Sequence, residues 1–333
     1  MSTMLASATG SSGRSHRGRL LTTVGAQNLS LLIALTVLLA IFGWLRADVF
    51  FTGRNLVNIG LAITILGILA MAQTVVIVSG GLDISVGSVV GLTTMVVALV
   101  IQATGSVAFG LTAGIASGLA AGAINGLIIV YGPVNAVIAT LGTMSAFRGL
   151  AYITNNGNSV PILDDALRVL GIGVFAGIPL AIWLLLIVMA VFALFMRATV
   201  VGRNIYAIGG NQTVARLAGI PIRRYQLAIY SMSGGAAALA GIILAGRTMS
   251  GQPASGSQGL ELEAITAAIL GGCALQGGKG TIVGAMLGVL IIGVLNNGMI
   301  LTSVPTFYQL LAKGALLVLA VVIQERQRAA SGE

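Results

Sequence analysis

ISVGSVVGLTTMVVALVIQATGSVAFGLTAGIASGLAAGAINGLIIVYGPVNAVIATLGTMSAF, residues Ile84–Phe147, runs for 64 residues without a charged side chain. A membrane span takes about 20 residues, so the stretch holds three. Gln102, Thr104, Gly105 and Ser106 mark one turn and Gly132-Pro133 the next, which predicts spans over 85–103, 107–130 and 135–154. Outward from it, apolar runs predict further spans over 20–45, 56–79, 179–196, 226–246, 263–275, 281–300 and 306–323. The expectation is an all-α, polytopic membrane protein of about ten transmembrane helices.

Composition agrees. The 333 residues are 57% hydrophobic and only 8% charged, against about a quarter charged in soluble domains. Mean hydropathy is +1.03, and the 47 glycines suit closely packed transmembrane helices. The net charge of +9 does not indicate nucleic acid, because the arginines are scattered between hydrophobic runs with no basic–aromatic groove. The one histidine, His16, lies in a polar tail, and the one cysteine, Cys273, in an apolar segment. One cysteine forbids an internal disulfide, and no Cys/His set has metal spacing. No catalytic residue, metal site or cofactor is expected.

Residues 1–19 read as a disordered cytoplasmic tail, 20–325 as one membrane domain with a loop at 197–225, and 326–333 as a second cytoplasmic tail. The loops that ten spans place inside, with the tails, hold eleven Lys and Arg; the outside loops hold four, with five acids. The positive-inside rule is met with both termini cytoplasmic. Asn125-Gly126 precedes Pro133, and Asn297-Gly298 precedes Pro305, at the same interval. Each pair closes a glycine-laddered span, Gly114/Gly118/Gly122 and Gly280/Gly284/Gly288. The two spans are five apart in chain order, an odd number, so they run in opposite directions, which suggests an inverted-topology repeat.

The loop RATVVGRNIYAIGGNQTVARLAGIPIRRYQ, Arg197–Gln226, carries five arginines and no other charge. Asn211 is a good N-cap, Gln212–Ala218 supplies about two turns, Gly219 suits the left-handed terminus, and Pro221 prevents resumption. Val214, Leu217 and Ala218 form a small apolar face. The result is either a docking helix or an ordinary topological loop.

Lys279 in GGKG invites a nucleotide-binding reading, but Cys273 and Gly280 stand where a Walker loop needs Gly and Ser/Thr. Asp83 in SGGLDISVGS sits among glycines and predicts a broken segment or a helix cap. Arg148 can snorkel outward. Gln73, Thr74, Asp83, Ser85, Asn125, Asn297, Gln309 and Lys313 are candidates for a hydrophilic path, or simply hydrogen bonds between helices.

The segments SGGLDISVGSVVGL, AGAINGLIIVYGPVNAVIATLGTMSAFRGLAY, GRNIYAIGGNQTVARLAGI and LELEAITAAILGGCALQGGKGTIVGAMLGVLIIGVLNNG, followed by YQLLAKGALL, resemble permease subunits of bacterial ATP-binding-cassette sugar importers of the ribose/xylose/galactose branch. The similarity runs from about residue 50 to 323. It implies an inner-membrane permease that moves a monosaccharide inward by alternating access. The implied partners are a cytoplasmic ATPase, a periplasmic or lipid-anchored sugar-binding protein, a second permease copy and membrane lipid. Gly209, Asn211, Val214, Ala215, Arg216, Leu217, Ala218, Gly219 and Ile220 fall in the segment that docks on the ATPase. Asp164, Asp165, Glu261 and Glu263 are expected to receive the binding protein. The alternatives are a nucleoside, autoinducer-type sugar or branched-chain amino acid as cargo, and a proton-coupled transporter using Asp83 or Glu261.

Overall fold

The computed structural model describes residues 16–132 and 134–331. Most of the expected 1–19 tail, with Arg14, therefore lies outside the described residues, as does Pro133. His16–Arg19 already belong to the first helix.

Five helices open the chain: α1 (His16–Leu45), α2 (Gly53–Val78), α3 (Val86–Thr104), α4 (Val107–Tyr131) and α5 (Ala136–Ile153). A short strand β1 (Val160–Pro161), a helix α6 (Asp165–Ile172) and a hairpin of β2 (Val174–Phe175) and β3 (Ile178–Pro179) follow. Then come α7 (Leu180–Ala198), α8 (Val200–Gly210), α9 (Gln212–Leu217) and α10 (Ile222–Thr248). The chain closes with β4 (Ser250–Gly251), which pairs with β1, and with α11 (Leu260–Leu270), α12 (Ile282–Leu301) and α13 (Thr306–Ser331). The boundaries follow cap chemistry: Thr52, Ser106 and Thr281 each accept a hydrogen bond from the backbone of the first turn of α2, α4 and α12.

Eight of these helices are long and apolar enough to cross a membrane, and α13 adds a 17-residue apolar stretch. The expected span over 263–275 differs. There α11 has 11 residues, about 16 Å of helix, which reaches across only half of a hydrocarbon core. In the stretch expected as a tail, 326–333, α13 continues to Ser331.

At the centre stands α2, buried on every face from Ile63 to Val78, as a helix apolar all round must be. It packs on α7, α10, α11 and α12. The glycine ladders let other helices meet backbone to backbone. A methyl group at Gly118 would strike the Gly234 carbonyl of α10, and one at Gly122 the Tyr230 carbonyl. On α12, Gly284 and Gly288 stand in the same way against the Gly271 and Ala267 carbonyls at and beside α11.

Candidate functional site: a docking helix joined to a broken span

In α9, Asn211 Oδ1 accepts from the N–H groups of Thr213 and Val214 at 3.0 and 3.1 Å. The helix ends where Gly219 takes φ +80° and the Ile220 N–H returns to the Ala215 carbonyl at 3.1 Å. Ala215 faces inward, packed with Ile208 and Ile222. Val214 and Leu217 face outward, 60% and 83% exposed, and Asn211, Arg216, Ala218 and Gly219 are exposed around them. Only Ala215 and the half-buried Ile220 therefore support the helix from behind.

The preceding helix, α8, went unread in the sequence, since its three glycines suggest loop. Thr199 caps it by accepting from the Gly202 N–H at 3.0 Å. Ile205 and Ile208 bury one face, and the Tyr206 hydroxyl donates to the Gly280 carbonyl at 2.7 Å. Gly209 lies directly on the Val78 carbonyl, with no room for a Cβ. The Gly278 N–H donates to that same carbonyl at 2.8 Å. The 197–225 loop and the Gly277–Gly280 turn thus meet at the last residue of α2.

Immediately beyond, α2 breaks. Gly80 takes φ +85°, and α3 does not begin until Val86. The break is held by side chains from α2, α4 and α10. Asp83 Oδ1 accepts from the Ser85 N–H at 3.0 Å and the Ser85 hydroxyl at 2.7 Å. Its Oδ2 accepts from the Ser233 hydroxyl of α10 at 2.7 Å. Asn125 of α4 donates to the Ser85 hydroxyl oxygen at 2.7 Å. The Gln73 amide of α2 donates to the Asp83 carbonyl, and the Tyr230 hydroxyl to the Leu82 carbonyl at 3.3 Å. Freed backbone groups inside a membrane need such partners. Asp83 is 1% exposed, so it caps a dry knot.

The other candidates lie apart. Thr74 donates to the Ala70 carbonyl at 2.8 Å. Asn297 exchanges two hydrogen bonds with Asn55, at 2.8 and 3.1 Å, tying α12 to α2. Gln309 donates to the Val304 carbonyl beside its own helix. Lys313 and Glu263 form an ion pair at 2.6 Å between α13 and α11, with side chains 28% and 18% exposed. Sequence had assigned these two to different surfaces. Asp164 caps α6 by accepting from the Ala166 N–H at 2.9 Å, and Asp165 faces Arg168 at 4.0 Å. Glu261 differs from its expected place on an outer loop. It is 8% exposed, because α11 begins inside the bundle. Arg148 also turns inward, donating to the Pro253 carbonyl at 2.9 Å and the Ser257 hydroxyl at 2.7 Å.

Residues 55–321 match the family described as branched-chain amino acid transport system / permease component. The chain belongs to that family. The permease is 40% identical over 294 residues to an L-arabinose ABC transporter permease protein of Azospirillum brasilense, covering 88% of this chain and 86% of that one. It is 43% identical over 281 residues to the L-arabinose transport system permease protein of Escherichia coli, covering 84% and 85%. The ribose import permease protein of the same bacterium is 39% identical over 301 residues, covering 89% and 93%. No solved structure matches the permease. It is a multi-pass membrane transport subunit, and its named relatives are permeases rather than enzymes.

Proposed function

We propose that the permease carries a monosaccharide inward across a bacterial inner membrane by alternating access, driven by a separate ATPase chain. The observation that carries this reading is the exposed Val214–Leu217 pair on a capped helix whose support runs through α8 to Val78 and the break at Asp83. Val214 and Leu217, 60% and 83% exposed, lie three residues apart on one side of α9, an apolar pair that suits a partner's groove. With both termini cytoplasmic, α9 faces the cytoplasm, where an ATPase binds. A binding protein delivers substrate to the opposite end, near Asp164 and Asp165. A second copy of the permease completes the path.

Sugar is favoured over amino acid because the named relatives quoted above are arabinose and ribose permeases. The family description names branched-chain amino acids, so both classes belong in the test. In cells carrying the whole transporter, uptake of labelled pentoses is expected, with no competition from leucine or valine. Leu217→Asp should abolish both uptake and co-purification of the ATPase while the permease still accumulates in the membrane. Retention of the ATPase by that variant would end the docking assignment.

A further inference from the structure

Between α10 and α11 the chain re-enters the bundle without helical structure, and α3 serves as a ruler for its depth. Gly251 lies against Ala98. The Gln252 carbonyl accepts from the Thr94 hydroxyl at 2.8 Å, and the Gln252 N–H donates back to it at 2.9 Å. The Pro253 carbonyl lies on Gly91, and the Ser257 carbonyl and Glu261 carboxylate lie on Gly87. Residues 251–261 therefore run antiparallel to α3 almost to its first residue, inside a span that itself covers Val86–Thr104.

One side of this segment is pinned by Thr94 and Arg148. The other is open: Ser255, Gly256 and Gln258 are exposed. Irregular polar backbone at membrane depth is tolerated only against protein or water, never against lipid tails. Gly256 lines a cleft of about 320 Å³ together with Arg247, Ile65, Leu244 and Leu260, the lower end of the size range for small-molecule sites. Arg247 is charged and half-buried, and its guanidinium makes one hydrogen bond, to the Leu61 carbonyl of α2 at 3.0 Å. Arg247 stands in the last turn of α10, and a half-buried cation at a span end needs a wet or polar surrounding.

We propose that Arg247 and the re-entrant segment 251–259 form a polyol-binding subsite in the transport path. This rests on the monosaccharide reading above. The remaining guanidinium N–H groups donate to adjacent sugar hydroxyls, and the Thr248 hydroxyl oxygen that lines the same cleft accepts from another. Ile65, Leu244 and Leu260 meet the C–H face, and the exposed Ser255 and Gln258 flank the cleft on either side of Gly256. Few fixed charges and a small contact area keep the site weak, as a path must be if solute is to leave it.

The test uses cells carrying the permease with its ATPase and binding protein, and a labelled panel of D-ribose, L-arabinose, D-xylose and D-galactose. Wild-type uptake of none of them overturns the sugar reading, and the subsite with it. With a transported sugar in hand, Ser255→Cys is treated with a charged, membrane-impermeant thiol reagent, against a wild type whose single Cys273 is fully buried. Modification is expected to lower uptake about tenfold, equivalent to about 1.4 kcal/mol, because the charged adduct obstructs the cleft beside Gly256, and the transported sugar in excess should slow it. Arg247→Gln, which keeps a donor for the Leu61 carbonyl but loses the charged fork, should lower uptake similarly, with Arg247→Lys recovering part. A Ser255→Cys chain that does not react, or reacts without loss of uptake, overturns the subsite and leaves the sugar reading standing. Wild-type uptake by Arg247→Gln does the same.

Discussion

Asp83 and Ser233, 150 positions apart in the chain, share a 2.7 Å hydrogen bond that ties the broken segment between α2 and α3 to the middle of α10. The bond is buried at both ends. Removing the carboxylate orphans the N–H and hydroxyl of Ser85 and the hydroxyl of Ser233, and each buried orphan costs about 1–3 kcal/mol. Asp83→Ala should therefore lower the thermal midpoint of the detergent-purified permease far more than Ser233→Ala, which removes one donor. Asp83→Asn keeps an acceptor and should fall between. Equal midpoints for the three variants would contradict the knot.

Gly122 and Gly142 give a matched contrast. A Cβ at Gly122 meets the Tyr230 carbonyl, whereas at Gly142 of α5 it meets nothing within 4 Å. Gly122→Ala should destabilise by about 1–3 kcal/mol through forced separation of α4 and α10. Gly142→Ala should be neutral or gain up to about 1 kcal/mol from helix propensity. Thermal unfolding of the two variants side by side checks both signs.

Gly209 lies between the docking helix and the end of α2. Gly209→Ala drives a methyl group into the Val78 carbonyl and the Gly278 N–H without touching Val214 or Leu217. The expected outcome is an ATPase that still co-purifies and still hydrolyses ATP, with uptake reduced at least about tenfold, the effect expected of about 1.4 kcal/mol of misplacement. Loss of co-purification would place Gly209 in docking rather than in transmission.

Lys313 and Glu263 are the two halves of one charge pair. Breaking such a pair strands its partner, while replacing both is often neutral. Lys313→Met alone should reduce the yield of folded permease, and Lys313→Met with Glu263→Gln should restore it. Because both side chains are partly exposed, the loss should be smaller than for a fully buried pair. Fluorescence-detected size exclusion reads the folded fraction directly.

Much of this architecture was legible in the sequence, and the reasons differ from place to place. Most spans followed from apolar length, but the one expected over 263–275 did not, because α11 is too short to cross. The break near Asp83 announced itself, since Gly80-Gly81 and an acid interrupt an otherwise apolar run. Asn211, Gly219 and Pro221 spelled out α9 through cap chemistry that depends only on neighbours. What could not be read depends on distant partners. The helix α8 forms although Gly202, Gly209 and Gly210 disfavour it, because Ile205 and Ile208 pack inward and Tyr206 reaches Gly280. The re-entrant segment passed for a surface loop because polarity carries no information about depth. Gly87 and Gly91 mark its course, but in a chain with 47 glycines two more convey nothing until their neighbours are known.

The inward hydrogen bonds of Arg148 have a bearing on synthesis. Its partners Pro253 and Ser257 lie 105 and 109 residues downstream. At about 5–20 residues per second, α5 leaves the ribosome many seconds before anything can receive its guanidinium. Arg148 stands near the end of α5, which closes at Ile153, so during that interval its guanidinium snorkels to the nearby membrane surface. Its inward turn is therefore a late event, made only once the segment behind α10 arrives, and the last third of the protein finishes the placement of a side chain in its middle.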